Sequence, residues 1–354
     1  MDADISKYKK LYASYNKTEV SYPITYSKGE HKVSDRLSHK RLSKKIAGNM
    51  EEYVSIFDNR DYLSLDRDTY IYPFEGSVKK CVFCLKSEPY VSFENRPHVI
   101  PEFLGNKHLL HYDECDQCNS EFGNTIEREL SEYLRPRRVF SKIKGKKRKY
   151  ISTYSKNEDN GFEFSEEKNS YIIPVDNNLD LKFEDKEFTY VCKVAKYTPI
   201  NIYKGLMKIL YGLLPREHRM KFEVIRNFLI DNKLDKISDQ IPIKVVSTFM
   251  PYNNLSSPYI NILHRSKNTS VNEILEEDFF EYVGTICFGN TIIEIPMYCD
   301  NDIEKAMNRK NISLKLIPKP YGSFQEEIEE LNGRERIESE YPLNFGYNSI
   351  TGLD

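Results

Sequence analysis

The sequence predicts an α+β protein, with a small cysteine-bound strand–strand–helix unit embedded in a larger mixed α/β chain. Three observations carry this. Two Cys-x-x-Cys pairs bracket a lone histidine, His98, between Cys81 and Cys118. An apolar stripe at helical spacing, Phe122, Ile126, Leu130 and Leu134, follows the second pair directly. Beyond residue 150, β-branched and aromatic runs flank two helices with apolar faces.

The chain has 354 residues, room for two or three domains. Hydrophobic residues are 39% and charged residues 30%, an ordinary soluble mix with enough apolar side chain for a sizeable core. A net charge of −2 excludes a polycation. The charge is uneven, however. Arg135–Lys149 carries nine Lys or Arg and no acid, whereas Gln325–Glu340 is strongly acidic. Local charge is what a nucleic-acid partner meets. The opening MDADISKYKK has no apolar signal region, and no apolar run reaches the ~18 residues of a membrane span. A cytoplasmic protein with no membrane partner is expected.

Residues 1–75 read as a basic and polar N-terminal region, partly helical. Leu37, Leu42, Ile46, Met50 and Val54 recur near helical spacing across Asp35–Phe57. This is either a solvated helix packed on a neighbour or an arm that touches nucleic-acid phosphate through Arg36, Lys40, Arg41, Lys44 and Lys45. Residues 76–150 hold the cysteine-bound unit and a trailing basic segment. Tyr90–Phe93 reads as a strand, and Pro101, which lacks a ladder donor, ends the apolar Val99-Ile100 segment. Asn119 and Ser120 suit a helix N-cap.

Residues 151–354 read as a C-terminal α+β domain without a recognisable motif. Sensing, regulation or protein interaction are its expected roles. Phe162–Phe164 and Tyr171–Ile173 flank a polar turn, and Phe188–Val194 has strand character. Residues 201–232 form two helices separated at Pro215. Gly289-Asn290 is a two-residue hairpin signal between Tyr282–Phe288 and Thr291–Met297. A charged helix is expected around Gln325–Ile337.

Cys81, Cys84, Cys115 and Cys118 have the spacing C-x2-C-x30-C-x2-C. Four thiolates suit a closed tetrahedral Zn²⁺ site of structural type. Such a site ties the turn before the first strand to the helix start, and so fixes His98 relative to Asn119. Cys192, Cys287 and Cys299 are scattered singly, which favours metal ligation over a disulfide scaffold.

His98-Val99-Ile100-Pro101-Glu102, Leu104-Gly105-Asn106, Cys115-Asp116-x-Cys118-Asn119, Phe122-Gly123 and Ile126-Glu127 together resemble the HNH endonuclease family. The branch with two zinc-binding Cys pairs is the nearest match. The resemblance implies a zinc-bound ββα-metal nuclease module and cleavage of nucleic acid, usually double-stranded DNA, with a divalent metal such as Mg²⁺ or Mn²⁺. It implies that His98 is the general base, that Asn119 orients the histidine loop, and that Glu127 holds the catalytic metal. Imidazole suits the base because it titrates near neutrality.

One position departs from the family pattern. Pro97 stands where many members place a ligand, so the metal would rely on Glu127 with water, phosphate, and Glu94 or Glu102. Glu127 also reads as an exposed helix acid, and His108 and His111 as ordinary polar residues. Arg135, Arg137, Arg138, Lys144, Lys146, Lys147, Arg148 and Lys149 form either a solvated loop or a phosphate-contacting surface. The alternative to an enzyme is a non-catalytic zinc module that binds nucleic acid while the C-terminal domain carries the main function. A self-contained nuclease needs control, so a role in restriction or anti-phage defence, as a homo-oligomer or with a defence-system partner, is the expectation by analogy.

Overall fold

A computed structural model describes residues 53–62, 66–73, 78–145, 149–153, 162–167, 169–172, 182–184, 187–231, 237–250, 255–265, 279–308, 312, 314 and 325–346. The N-terminal half of the chain begins with β1 (Tyr53–Asp58), β2 (Thr69–Ile71) and β3 (Leu109–His111). Three helices follow, α1 (Asp116–Asn124), α2 (Ile126–Tyr133) and α3 (Arg135–Phe140). The short strands β4 (Glu163–Ser165), β5 (Ser170–Ile172) and β6 (Lys182–Glu184) precede the long β7 (Glu187–Tyr197). Then come α4 (Pro199–Leu213), α5 (Arg216–Arg219) and α6 (Glu223–Ile230). The chain continues through β8 (Lys244–Phe249), β9 (Leu255–Arg265), β10 (Tyr282–Gly289), β11 (Thr291–Met297) and α7 (Asp300–Met307). It ends with β12 (Gln325–Glu330) and β13 (Ile337–Gly346). No described helix is long and apolar enough to cross a membrane.

The main sheet is antiparallel, in the order β1-β9-β10-β11-β8-β12. Its central hairpin turns at Gly289, whose φ of 50° favours glycine at the first loop position. The turn docks on the end of α3. The Asn290 N–H donates to Ser141 Oγ at 3.0 Å, and a Cβ on Gly289 would stand 2.0 Å from Ser141 Cβ.

Two expected helices are strands. The described end of the Asp35–Phe57 segment is β1, paired with β9 from Tyr53↔Arg265 to Asp58↔Asn261, and the remainder lies outside the described residues. Gln325–Glu330 is β12, which occupies the free edge of β8. In both, a strand edge supplied by distant sequence outweighs a weak local helical pattern. The charges of β12 suit an edge strand, because they oppose pairing with another chain. Tyr90–Phe93, expected as a strand, is turn and irregular backbone.

Helix α4 is the centre of the molecule. It is apolar nearly all round and buried along almost its whole length, as a core helix must be. One side meets α2, where a Cβ on Gly205 would lie 3.0 Å from Leu130 Cδ2. Another meets β10, where Leu210 fills the space above Gly284. The Glu129 carboxylate of α2 accepts from the Thr198 N–H at 2.7 Å and from Asn201 at 3.2 Å, and so caps α4 from another segment. One hydrophobic core runs without interruption from Phe83, Val99 and Leu130 to Leu206, Ile286 and Ile295. The boundary expected at residue 150 is therefore not a break in packing.

At one end of the sheet Glu281 accepts from Lys221 at 2.6 Å and faces His264 Nε2 at 3.2 Å. Burial raises its pKa, but Lys221 and His264 outweigh burial and hold the carboxyl at about 2. A depressed folded-state value gives stability that is present above the unfolded value near 4.5 and lost as pH falls towards about 2. Glu281→Gln is expected to cost about 2 kcal/mol at pH 6, after discounting for partial exposure, and much less at pH 3. Urea melts of both proteins at the two pH values check this.

Candidate nuclease site

The four paired cysteines come together. Their Sγ atoms all lie within 4.8 Å of one another, and Cys84 Sγ is 3.8 Å from Cys115 Sγ. Tetrahedral Zn–S bonds of ~2.3 Å place sulfurs ~3.8 Å apart, so the cluster fits a zinc ion. The local backbone is shaped for it. The Leu85 N–H donates to Cys81 O at 3.0 Å, with Leu85 at a φ of 60°, which closes the first turn. Cys115, and not Asn119, is the N-cap of α1, and its sulfur accepts from the Cys118 N–H at 3.5 Å. Among the thiols, the Cys118 S–H pulls Cys81 down to about 5, while burial pushes Cys115 up to about 12. Thiols crowded in this way oppose one another's ionisation, and a divalent cation would allow all four to ionise. Metal analysis of the purified chain should give one zinc per molecule, and Cys115→Ser should lose most of it and lower the melting temperature.

His98 lies between the two cysteine pairs in sequence, at an isolated β-bridge. It bridges Leu110 of β3, with the His111 N–H donating to Pro97 O at 2.7 Å and the Val99 N–H to Leu109 O at 3.3 Å. Helix α1 follows, so the strands and helix form a ββα arrangement behind the cysteines. Asp116, at the start of α1, accepts from the Glu94 and Asn95 N–H groups at 2.9 and 2.8 Å, and so ties the approach to His98 to the helix.

The loop between His98 and β3 is held by Asn106. Its Nδ2 donates to Ile100 O at 2.6 Å and Leu109 O at 2.9 Å, and its Oδ1 accepts from the Leu109 N–H at 3.0 Å. The same Nδ2 is 3.3 Å from His98 Nδ1. The two shorter bonds use both amide protons, so the histidine contact is the weakest of the three. His98 Nε2 faces Glu102 Oε1 at 3.5 Å, and the His98 side chain is 24% exposed. The imidazole therefore sits between an amide and a carboxylate, open to solvent on one side.

Residues 81–135 match the family model of the HNH endonucleases. The segment that carries the cysteine cluster and His98 is thus similar to a family of nucleases, which suggests nuclease activity in general and implies a nucleic-acid substrate. No curated protein and no solved structure matches the chain.

The other residues expected in the site have specific surroundings within the HNH module. Asn119 lies in the first turn of α1, and the loop-holding bonds expected of it are made by Asn106. Glu127 does not face open solvent. Its Oε1 lies 2.8 Å from Lys208 Nζ of α4, and the same ammonium is 3.0 Å from the fully buried Glu114. Burial acts to lower the Lys208 pKa, but the two carboxylates raise it above its ordinary value. Burial raises that of Glu114. A carboxylate held by a buried ammonium is a poor ligand for a catalytic cation.

The basic run is also redistributed. Arg137 is buried between Tyr133 and Tyr341 and pairs with Glu329 of β12 at 2.8 Å. Arg138 is buried and donates to Phe103 O at 2.8 Å and Ser131 Oγ at 2.8 Å. Both hold the fold together and neither presents its charge to a substrate. Arg135 pairs with Glu132 and Lys144 with Glu166, while Lys149 is exposed. Lys146, Lys147 and Arg148 lie outside the described residues.

Two residues that matter were missed from sequence. Asn106 sits in the quoted phrase Leu104-Gly105-Asn106, where Gly105 adopts a φ of 102° to close the loop. A glycine–asparagine pair just after the histidine segment was the available signal. Lys208 had only the weak signal of a lysine on an otherwise apolar helix face.

Proposed function

We propose that the chain is a metal-dependent endonuclease that hydrolyses phosphodiester bonds of DNA, with His98 as its general base. The observation that carries the reading is the His98 imidazole, held by the Asn106 loop, facing Glu102, and partly open to solvent. A carboxylate only accepts, so the imidazole proton belongs on Nε2, directed at Glu102. Both Asn106 amide protons are engaged by Ile100 O and Leu109 O, so the Nδ1 lone pair is the one that takes a proton from the attacking water. Glu102 stabilises the imidazolium that results, as an acid does for a histidine base. The water oxygen bonds to phosphorus and the opposite P–O bond breaks.

A divalent cation, Mg²⁺ or Mn²⁺, supplies neutralisation of charge on the phosphoryl oxygens when bound. Among the described residues the cysteine set is the one cluster of three or more ligand groups. Such a cation would therefore be held mainly by phosphate oxygens and water, a mode that suits Mg²⁺. The test is cleavage of supercoiled plasmid under Mg²⁺ or Mn²⁺, abolished by EDTA at concentrations that leave the zinc bound.

Asn106→Ala is expected to slow cleavage and to cost about 1–3 kcal/mol, because it removes the amide donor to the Ile100 carbonyl and the acceptor of the Leu109 N–H. Zinc content should not change, which a metal assay beside a urea melt would check. A second reading is favoured by Pro97 and by the pairing of Glu127 with Lys208: a non-catalytic zinc module that binds nucleic acid. Salt-dependent DNA binding without cleavage under any divalent metal would select it. The C-terminal part, packed on the module through α4, is the element that regulates it in our reading, and a defence role rests on that arrangement together with the general need to restrain a nuclease.

A further inference from the structure

A guanidinium and an imidazole, both near His98 in the chain, converge on one exposed carboxylate. The Arg96 guanidinium pairs with Asp68 Oδ2, and His108 Nδ1 lies 3.1 Å from Asp68 Oδ1. A carboxylate only accepts, so Nδ1 of His108 carries the proton. All three side chains remain at the surface, with Arg96 59%, Asp68 34% and His108 33% exposed. Exposed pairs of this kind contribute little to stability and exchange readily with solvent.

The backbone around them is fixed. The His108 N–H donates to the loop-holding Asn106 at 3.3 Å, and His108 O accepts from the Thr69 N–H at 2.8 Å. Pro97, next to Arg96, accepts from His111 of β3 at 2.7 Å. The donors are thus carried on the two strand segments that flank the base, two residues before His98 in one case and at the entry to β3 in the other. Lys107 beside them is exposed.

We propose that Arg96 and His108 form a DNA-phosphate site adjoining His98, and that Asp68 occupies it until substrate displaces the carboxylate. A phosphodiester presents two anionic oxygens to the same two donors, and the bidentate guanidinium suits them. The proposal rests on the nuclease reading for its biological sense, but not for its test. Asp68 then acts as an intramolecular competitor that weakens binding to any DNA, and substrate engagement releases Arg96 and His108 together.

The experiment measures anisotropy of a short fluorescein-labelled DNA duplex, in EDTA so that no cleavage occurs, over a range of salt. Full-length native protein, Asp68→Asn, Arg96→Gln, His108→Gln and Asp68→Asn/Arg96→Gln are compared. Asp68→Asn is expected to tighten binding by about two- to fivefold. Arg96→Gln is expected to weaken it and to lower the log–log salt slope by about 0.9, the loss of one phosphate contact. His108→Gln should weaken binding, and the double variant should lose the Asp68→Asn gain. Unchanged affinity and slope in Arg96→Gln and His108→Gln would overturn the site, as would native protein that does not bind the duplex. If the variants behave as expected while native protein never cleaves DNA with metal added, the phosphate site stands and the nuclease reading falls. If native protein cleaves and the variants bind like it, the reverse holds.

Discussion

His98→Ala is expected to lower the rate of metal-dependent DNA cleavage by about 10²–10⁴-fold, the usual contribution of a general base. The side chain is 24% exposed and reaches Glu102 and Asn106 from the surface, so its removal should leave the fold intact. Zinc content and the melting temperature should match native protein. Glu102→Gln should lower the rate less and shift the pH–rate profile, because a neutral amide holds the imidazolium less well than a carboxylate. A His98→Ala protein with native turnover would place the base elsewhere.

Lys208→Met is expected to destabilise the chain by about 3–5 kcal/mol, the cost of stranding a buried charge. Lys208 and Glu114 are 1% and 0% exposed, and Glu127 is 17% exposed. Without the ammonium, two like-charged carboxylates are left in an apolar setting beside Phe83 and Phe122. At least one must take up a proton, so the loss should grow with pH above the ordinary carboxylate range. Replacing all three residues, with Glu114→Gln and Glu127→Gln added, should restore much of the stability. Urea denaturation of the three proteins checks this, and a single Lys208→Met loss below about 1 kcal/mol would contradict the buried pairing. The pairing also separates two roles for Glu127. If Lys208 holds it, Glu127→Gln lowers stability and leaves the metal dependence of cleavage unchanged.

Local features of this chain were legible in its sequence. The cysteine pairs announce their cluster because each pair closes a turn of fixed geometry, and the ions of a tetrahedral site demand four such ligands. The Gly289-Asn290 turn, the Pro215 interruption and the apolar stripe Phe122–Leu134 likewise follow from backbone chemistry and period, although the stripe is divided into α1 and α2 at Thr125. What sequence did not show depends on distant partners. β1 is a strand because β9 offers it an edge, and β12 because β8 does. Arg137 and Arg138 read as a basic surface until Glu329, Tyr341 and Phe103 enclose them. Glu127 reads as a ligand until Lys208 arrives from α4. Within the site, the histidine was evident, but the asparagine that holds its loop was not, because four bonds across the ten residues Ile100–Leu109 become visible only once the loop closes.

The integration of the HNH module with α4 has a functional side. Gly212 of α4 lies so close to the module that a Cβ there would meet His111 Nε2 at 2.8 Å, and His111 is bonded through its backbone to the residue before the base. A shift of α4 would be felt at His98 through one hydrogen-bonded step. If the C-terminal part regulates the site as proposed, this contact is a route for it.

The most direct measurement is divalent-metal-dependent nicking of supercoiled plasmid by the zinc-loaded full-length chain, with His98→Ala alongside. The account predicts nicking or linearisation with Mg²⁺ or Mn²⁺ that EDTA abolishes and that the variant loses. Equal cleavage by both proteins, or none by the native chain with any divalent metal, would contradict it.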